Sequence, residues 1–345
     1  QTCALPIFCW STGSHRVGGN LEIQNHIFSA DLSDFTYSEA YRQRGDTVIN
    51  NHHAIKVEPY YAYEGKKFNI HIGVNLDFCA GKGKVFLPSP NVLFEAKLTE
   101  DWLALFGGVT GDYNISSVRE HFQILRYLHA ENEIATTHNR TYTPVNAMLG
   151  LKIRPINTLL ITINAAYNYT MYDVFYVPDS LGFFNLTGSD HTHWTIAGKI
   201  DYHYKDYVNV SFNAFYNIWK MRSDVPGSDM SFYKMFGLKN NHILDRPSWG
   251  VSLRVDGKID NKWTLYSENI FGGGRYALTL PDAEGIVRAV ELKPTIDLNL
   301  GVQYNINRWL GVYLQLNNII NRKHDIVYGY QSCGINFLAG LTYSF

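Results

Sequence analysis

Apolar and polar residues alternate along many stretches of this chain. From Phe68 to Phe78 every second residue is apolar, and the positions between them hold Asn69, His71, Gly73, Asn75 and Asp77. Successive side chains of a β-strand point to opposite faces, so this pattern predicts a strand with one apolar and one polar face. The same alternation predicts strands over 159–170, 194–204, 208–218 and 249–256, and a hairpin formed by 296–306 and 310–316.

The carboxy-terminal segment Ile335 to Phe345 alternates in the same way, with Leu338 as its one exception. A strand of a soluble β-sandwich would show this pattern too. A terminal aromatic preceded by hydrophobic residues two and four positions earlier, however, resembles the signal that the outer-membrane barrel assembly machinery recognises. We interpret Phe337, Leu341, Tyr343 and Phe345 as that assembly signal, which makes the machinery and outer-membrane lipid the expected partners.

Short polar turns alternate with long irregular segments along the chain. The strands are close to the ~9 to 11 residues that cross a bilayer at a tilt, and turns on one side with long loops on the other are the outer-membrane pattern. The sequence therefore predicts an all-β fold, a transmembrane antiparallel up-and-down β-barrel with about 14 strands. We expect it in the cell outer membrane, with the carboxy terminus in the periplasm and the long loops outside the cell. The predicted loops are 37–53, 80–90, 114–144, 174–192, 222–247, 280–287 and 326–334.

Composition excludes several other classes. Apolar residues make up 46% of the chain and aromatics 14%, yet no run approaches the roughly 18 apolar residues of a membrane-spanning helix. The formal charge of -1 gives no indication of a nucleic-acid partner. Cys3 lies in the first seven residues, which we set aside below, and Cys9, Cys79 and Cys333 are far apart and lack metal-ligand spacing. The sequence therefore predicts neither a disulfide framework nor a metal site, and no cofactor.

The first seven residues, QTCALPI, resemble the translation of a sequencing adapter. Such a segment has to be left out of fold reasoning. We expect residues 1–7 to be an artefact and residues 8–345 to be a barrel that is incomplete at its amino terminus.

The segment from Leu316 to Phe345 is similar to the last two strands of TonB-dependent receptors, in which a pair of asparagines, two hydrophobic residues and Asn-Arg precede a loop with glycine and aromatics and the closing strand. The matching positions are Asn317, Asn318, Asn321, Arg322, Tyr328, Gly329 and Phe345. The resemblance implies a barrel of about 22 strands. It also implies an amino-terminal plug domain and a short box that contacts TonB, neither of which is visible in this chain.

Charged side chains on the predicted polar faces are candidates for lining a translocation path or holding a plug through charge-assisted hydrogen bonds. They are Lys199, Asp201, His203, Arg254, Asp256, Glu268 and Asp297. The lumen of any wet barrel carries charges as well, so the pattern leaves both interpretations open. In the predicted loops, aromatic and histidine side chains are candidate ligand contacts: His121, Tyr127, His129, Phe183, Phe184 and His191.

Three functions remain open at this point. The resemblance favours a receptor-like transporter for a bulky nutrient, which would be a metal chelate, a vitamin or an oligosaccharide. The alternative is a plugless porin or hydrophobic-substrate channel of about 14 strands. An outer-membrane hydrolase is the remote alternative: Asp201 and His203 share a face, but no serine-centred motif accompanies them. We therefore expect no enzyme activity.

Overall fold

The structure is a computed structural model, and it describes residues 2–26, 52–80, 86–99, 101–115, 120, 123, 125, 127–128, 140–179, 181–221, 238–239, 241–260 and 262–343. Among these residues, no helix is long and apolar enough to cross a membrane. The strands are β1 (Thr2–Thr12), β2 (His15–His26), β3 (His52–Glu64), β4 (Phe68–Ala80), β5 (Phe86–Lys97), β6 (Leu103–Ile115), β7 (Arg140–Ile156), β8 (Leu159–Pro178), β9 (Phe184–Tyr204), β10 (Val208–Met221), β11 (Trp249–Ile259), β12 (Trp263–Gly273), β13 (Tyr276–Leu278), β14 (Ala289–Glu291), β15 (Thr295–Asn305), β16 (Leu310–Asn317), β17 (Asp325–Val327), β18 (Tyr330–Gln331) and β19 (Asn336–Tyr343).

Fifteen of these strands form one antiparallel sheet in which each strand pairs with its neighbours in the chain. The two small hairpins, β13 with β14 and β17 with β18, lie inside long connections and are skipped by the sheet order. Tight turns join the strands at one end of the sheet, which we call the turn end, and most of the long connections lie at the other, the loop end. This confirms the up-and-down all-β fold, with one strand more than the tally from the sequence.

Several predicted connections differ in extent from the structure: 114–144 overlaps the ends of β6 and β7, 326–334 overlaps the β17–β18 hairpin, and two others become much shorter. Strands β8 and β9 stay paired beyond the length of a membrane strand, so the predicted loop 174–192 shrinks to residues 179–183. A register shift between Thr170 and Asp173 is the reason, because a β-bulge breaks the two-residue alternation by which a strand is recognised. The predicted loop 80–90 is also too long, since β5 begins at Phe86 and includes two prolines, which are atypical of strands.

The register places polar and apolar residues on opposite faces of the sheet. Residues directly opposite each other in an antiparallel pair share a face, and the chain of partners Asp77, Lys56 and Glu22 is an example on the polar face. On the other face, large hydrophobic side chains remain exposed, among them Phe337 and Leu341 with more than 70% of their surface open. An exposed apolar band of this extent suits a lipid environment.

The polar face is the concave side of the sheet. Lys56 on β3 and Asp112 on β6 are three strands apart, a distance of about 14 Å in a flat sheet. Their Nζ and Oδ1 atoms nevertheless lie 2.6 Å apart. Glu58 on β3 likewise accepts a hydrogen bond from Asn91 on β5 at 2.6 Å. Such contacts between non-adjacent strands require a sheet that curves around its polar face.

Aromatic rings cover glycines on the neighbouring strand at five places on the polar face. In each pair the two residues are direct register partners, and a Cβ built on the glycine would lie 2.5 Å or less from an atom of the aromatic side chain. Glycine weakens a strand, and an aromatic partner that packs over it compensates for the missing side chain. The pairs are Tyr60 over Gly18, Phe106 over Gly150, Phe215 over Gly250, Tyr266 over Gly301 and Tyr313 over Gly340.

Packed clusters cover the loop end. One joins the ends of β8 and β10 to the connection before β11 and to β13: Phe175, Trp219, Met221, Leu238, Ile243, Leu244 and Leu278. In a second cluster, Val327 of the β17–β18 hairpin packs with Val174, Tyr176 and Phe184. Tyr330 of the same hairpin donates its hydroxyl hydrogen to the Gly182 carbonyl at 2.6 Å. The last long connection therefore crosses the polar face from the end of the sheet to its middle.

Asparagines anchor that connection where it leaves β16. The side chain of Asn318, 5% exposed, accepts a hydrogen bond from the Arg322 N–H and donates to the carbonyls of Arg322 and Cys333. Asn321 accepts from the Ile335 N–H at 3.0 Å. Asn318 and Asn321 have φ values of 49° and 53°, a left-handed conformation that asparagine tolerates better than most residues. Asn318 and Asn321 of the carboxy-terminal motif therefore stabilise the turn that follows β16.

Candidate ligand-binding site

The seven charged side chains that the sequence assigns to polar strand faces all lie on the concave polar face of the sheet. Direct register partners link Asp201 to Ser211, Ser211 to Arg254 and Arg254 to Glu268, so one row of charges crosses β9 to β12. Lys199 lies beside this row, with its Nζ 3.0 Å from an Asp201 oxygen. Within the row, the Ser211 hydroxyl donates to the Asp201 carboxylate at 2.9 Å.

The other charges of this group lie around the row. Arg254 donates two hydrogen bonds to Asp256 at 2.8 and 3.0 Å. The Nδ1 atom of His203 is 2.7 Å from the Asn209 amide oxygen. Asp297 lies opposite Ile270 and keeps one buried oxygen without a hydrogen-bond partner among the described residues. The described contacts of Asp201 and His203 are separate ones, because Asp201 accepts from Ser211 while the His203 ring lies against Asn209.

The structure places the predicted loop contacts in different surroundings. Phe184 and His191 lie on strand β9, not in a loop, and each is 2% exposed. Tyr127 and Phe183 remain exposed, and the ring of Tyr127 lies tilted against that of Tyr330, with 4.3 Å between the ring centroids. His121 and His129 lie outside the described residues, as does Phe345 of the predicted assembly signal. The signal residues Phe337, Leu341 and Tyr343 lie on the exposed apolar face.

A polar cavity of about 380 Å³ lies at the loop end of the polar face. Strands β6, β7 and β8 form its wall, and the connections before β11, after β12 and after β16 close over it. Its size falls in the range of small-molecule sites, about 300 to 1,000 Å³. The residues around it are Asp112, Asn114, Thr141, Thr143, Asp173, Val174, Tyr176, Asp245, Arg246, Arg275, Ile326 and Val327.

An ion pair forms the centre of this wall. The Arg246 guanidinium lies 3.0 Å from an Asp173 oxygen and 5.9 Å above the Phe175 ring, so it is held by charge and by a cation–π contact. The bulge in β8 places Asp173 there, and Tyr172 within it has a φ of 58°. The Tyr172 N–H donates to the Asp190 carboxylate at 2.9 Å, which holds this strained residue in place.

Asp245 and Arg275 line the same cavity beside this ion pair. Burial raises the pKa of Asp245 to about 6, although this carboxylate accepts a hydrogen bond from the Tyr176 N–H and lies near both arginines. Burial also lowers the pKa of Arg275. Arg275 donates to the main-chain carbonyls of Asp325 and Ile326 and so holds the β17–β18 hairpin over the cavity.

Sequence reasoning did not identify Asp173, Asp245, Arg246 or Arg275. Asp173 falls between the predicted strand 159–170 and the predicted loop 174–192, because the bulge hides the continuation of its strand. The other three lie in connections, where no periodicity reports a side chain's direction. The one local signal is the Asp-Arg-Pro triplet at 245–247, a polar pair next to a residue that restricts the chain.

No protein-family model and no curated protein sequence matches the chain. Solved structures do match it. The siderophore receptor PirA from Acinetobacter baumannii aligns with a TM-score of 0.62 at 11% identity, over 100% of this chain and 54% of that one. For the copper transporter OprC the TM-score is 0.61 at 11% identity, over 98% and 55%. For the pyoverdine outer membrane receptor FpvA from Pseudomonas aeruginosa PAO1 it is 0.59 at 11% identity, over 100% and 52%.

These likenesses concern the fold. The chain has the outer-membrane β-barrel fold of receptors and transporters, and it spans about half the length of the solved structures that it matches. The resemblance predicted from residues 316–345 is confirmed at this level, as is the prediction of an outer-membrane barrel.

Proposed function

We propose that this protein is an outer-membrane transporter that takes up a bulky nutrient, with its long connections outside the cell and its carboxy terminus in the periplasm. The observation that carries the proposal is a concave polar face whose loop end is covered by folded connections around a polar cavity. Such a site offers ligand contacts at the mouth of a wet path. Hydrolysis has no comparable support in the described residues.

Receptor-type uptake is favoured over a plugless channel of about 14 strands. In the described residues, β1 and β19 are the two edges of the sheet and have no strand on their outer sides. An unpaired edge is costly in a membrane, where every backbone polar group must be satisfied. We infer that further strands complete the barrel and that residues 8–345 are its carboxy-terminal part. A plug and a contact with TonB through an amino-terminal segment belong to this proposal, as does insertion by the barrel assembly machinery. The origin of residues 1–7 stays a prediction.

The test uses the protein expressed from its native gene, including the sequence upstream of Phe8. Purified protein in planar bilayers is expected to show no steady conductance, because a plugged receptor is closed. Cells that express it are expected to accumulate ligand only while the inner membrane is energised. A large steady conductance with uptake that resists an uncoupler would refute the receptor and establish a channel.

A further inference from the structure

The charges around the loop-end cavity are balanced. Its described lining holds the carboxylates of Asp112, Asp173 and Asp245 and the guanidiniums of Arg246 and Arg275. Asp173 pairs with Arg246. Asp112, the third carboxylate, pairs with the Lys56 ammonium at 2.6 Å. An anionic ligand would therefore find no uncompensated positive charge among these residues, and it would have to approach three carboxylates.

The arginines are also committed to the protein itself. Arg275 donates from both terminal nitrogens to main-chain carbonyls of the β17–β18 hairpin. Arg246 donates to Asp173 and, at 3.5 Å, to the Val174 carbonyl. Recognition of a carboxylate or phosphate typically uses a guanidinium fork directed at the ligand. Here the forks hold the wall together.

Neutral polar groups make up the rest of the polar lining. Asn114 on β6 and Thr141 and Thr143 on β7 contribute an amide and two hydroxyls, which donate and accept hydrogen bonds. An apolar strip from Val174 and Ile326 lies in the same cavity. Sugar rings combine these properties, since their hydroxyls both donate and accept and their C–H faces are apolar.

From this lining we propose that the cavity binds a neutral polyhydroxylated ligand, one or two sugar units of an oligosaccharide. The proposal rests on the proposed function and narrows its substrate class. The cavity volume of about 380 Å³ is at the small end of ligand sites. It suits the terminal units of a longer glycan whose remainder extends into the mouth.

The test measures binding to the full chain in detergent micelles by microscale thermophoresis. The neutral probes are gluco-, xylo-, manno- and galacto-hexasaccharides, and the anionic probes are hexagalacturonate and ferric citrate. We expect at least one neutral hexasaccharide to bind and both anions to bind at least about tenfold more weakly. Tenfold corresponds to about 1.4 kcal/mol. The anions bind more weakly because their negative charge approaches three carboxylates, while both arginines are committed to contacts within the protein.

Two wall variants and one control locate the site. Asn114→Ala and Thr141→Val each remove one hydrogen-bonding group and are expected to weaken binding about two- to tenfold. Thr162→Val is the matched control, a threonine on the same polar face of β8 near the turn end and outside the cavity lining. It is expected to leave binding unchanged. Circular dichroism checks that all three variants keep the β-rich fold.

The outcomes separate the two proposals. Tighter binding of ferric citrate or hexagalacturonate than of any neutral probe, weakened by Thr141→Val, overturns the sugar assignment and leaves the transporter intact. Glycan binding that both wall variants leave unchanged overturns the site. If no probe binds, the sugar assignment is wrong, and the energised-uptake assay then decides whether the transporter fails with it.

Discussion

Replacing Gly301 by alanine should destabilise the barrel through a collision with Tyr266. The alanine Cβ would lie 2.1 Å from the Tyr266 ring on the neighbouring strand. Ordinary contact begins near 3.4 Å, so the ring must shift by more than an ångström. Overfilling a packed site of this kind costs about 1 to 3 kcal/mol. Removing a glycine recovers about 0.4 to 1 kcal/mol by restricting the unfolded chain. The two ranges combine to a net loss between about 0 and 2.6 kcal/mol, and the midpoint of about 1.3 kcal/mol is the expected value.

Gly198 on β9 provides the matched control. It also lies inside a strand and has both neighbours paired, but a Cβ built on it meets no atom within 4 Å. Gly198→Ala is therefore expected to be neutral or to stabilise by up to about 1 kcal/mol. The two substitutions have the same chemistry and opposite expected signs, because only Gly301 is covered by a ring.

The assay is urea-induced unfolding in phospholipid vesicles, followed by tryptophan fluorescence and by the heat-dependent shift of the folded band on a gel. A double-mutant cycle with Tyr266→Ala isolates the contact. Gly301→Ala should lose most of its cost in that background, since the space under the ring is then open. Equal effects of Gly301→Ala and Gly198→Ala, or a cost that persists without the Tyr266 ring, would refute the reasoning.

Three further predictions follow from the loop end. Asn318→Ala removes three hydrogen bonds of a buried side chain and should lower the free energy of unfolding in urea by about 2 to 3 kcal/mol. The control Asn164→Ala, on the polar face of β8, should lower it much less. Similar losses for the two variants would contradict the anchoring role of Asn318. Burial raises the pKa of the Asp245 carboxyl to about 6 in the folded protein. Between about pH 4 and 6, the folded protein therefore still holds a proton that the unfolded chain has already released. Stability should therefore fall as the pH rises through this window and stay level above it, by at most about 3 kcal/mol, and Asp245→Asn should flatten this part of the profile; an unchanged slope would show that the carboxyl is not buried. Tyr330→Phe removes the hydrogen bond to the Gly182 carbonyl and should speed limited proteolysis within the β17–β18 hairpin. The midpoint of global unfolding should stay nearly unchanged. Equal cleavage rates in the two proteins would show that this bond does not hold the hairpin.

The β-rich circular dichroism spectrum of the protein in detergent is a simpler expectation that checks the whole fold. Alternating faces over strands such as β4 leave no room for a helical protein of this sequence. A helical spectrum would be incompatible with the sheet described above.

The sequence by itself determined the sheet and its two faces. Each membrane-length strand must expose one face to lipid and the other to water, so the two-residue period is strong in β4, β15 and the closing segment. This period shows which face of the sheet a side chain occupies without any information about the neighbouring strands. The turn positions followed from the same alternation, because each hairpin reverses where the period stops. For the same reason, the charged residues of the row from Asp201 to Glu268 could be predicted from the sequence.

Only the tertiary structure decided how the loop end is built. The bulge at Tyr172 changes the direction of Asp173 through a single extra residue, which destroys the period that would have revealed it. Arg246 and Arg275 come from connections and meet β8 and the β17–β18 hairpin across the concave face. Local patterns carry information over a few residues, while these contacts join segments more than fifty positions apart. The curvature of the sheet, which no local pattern encodes, is what brings them together.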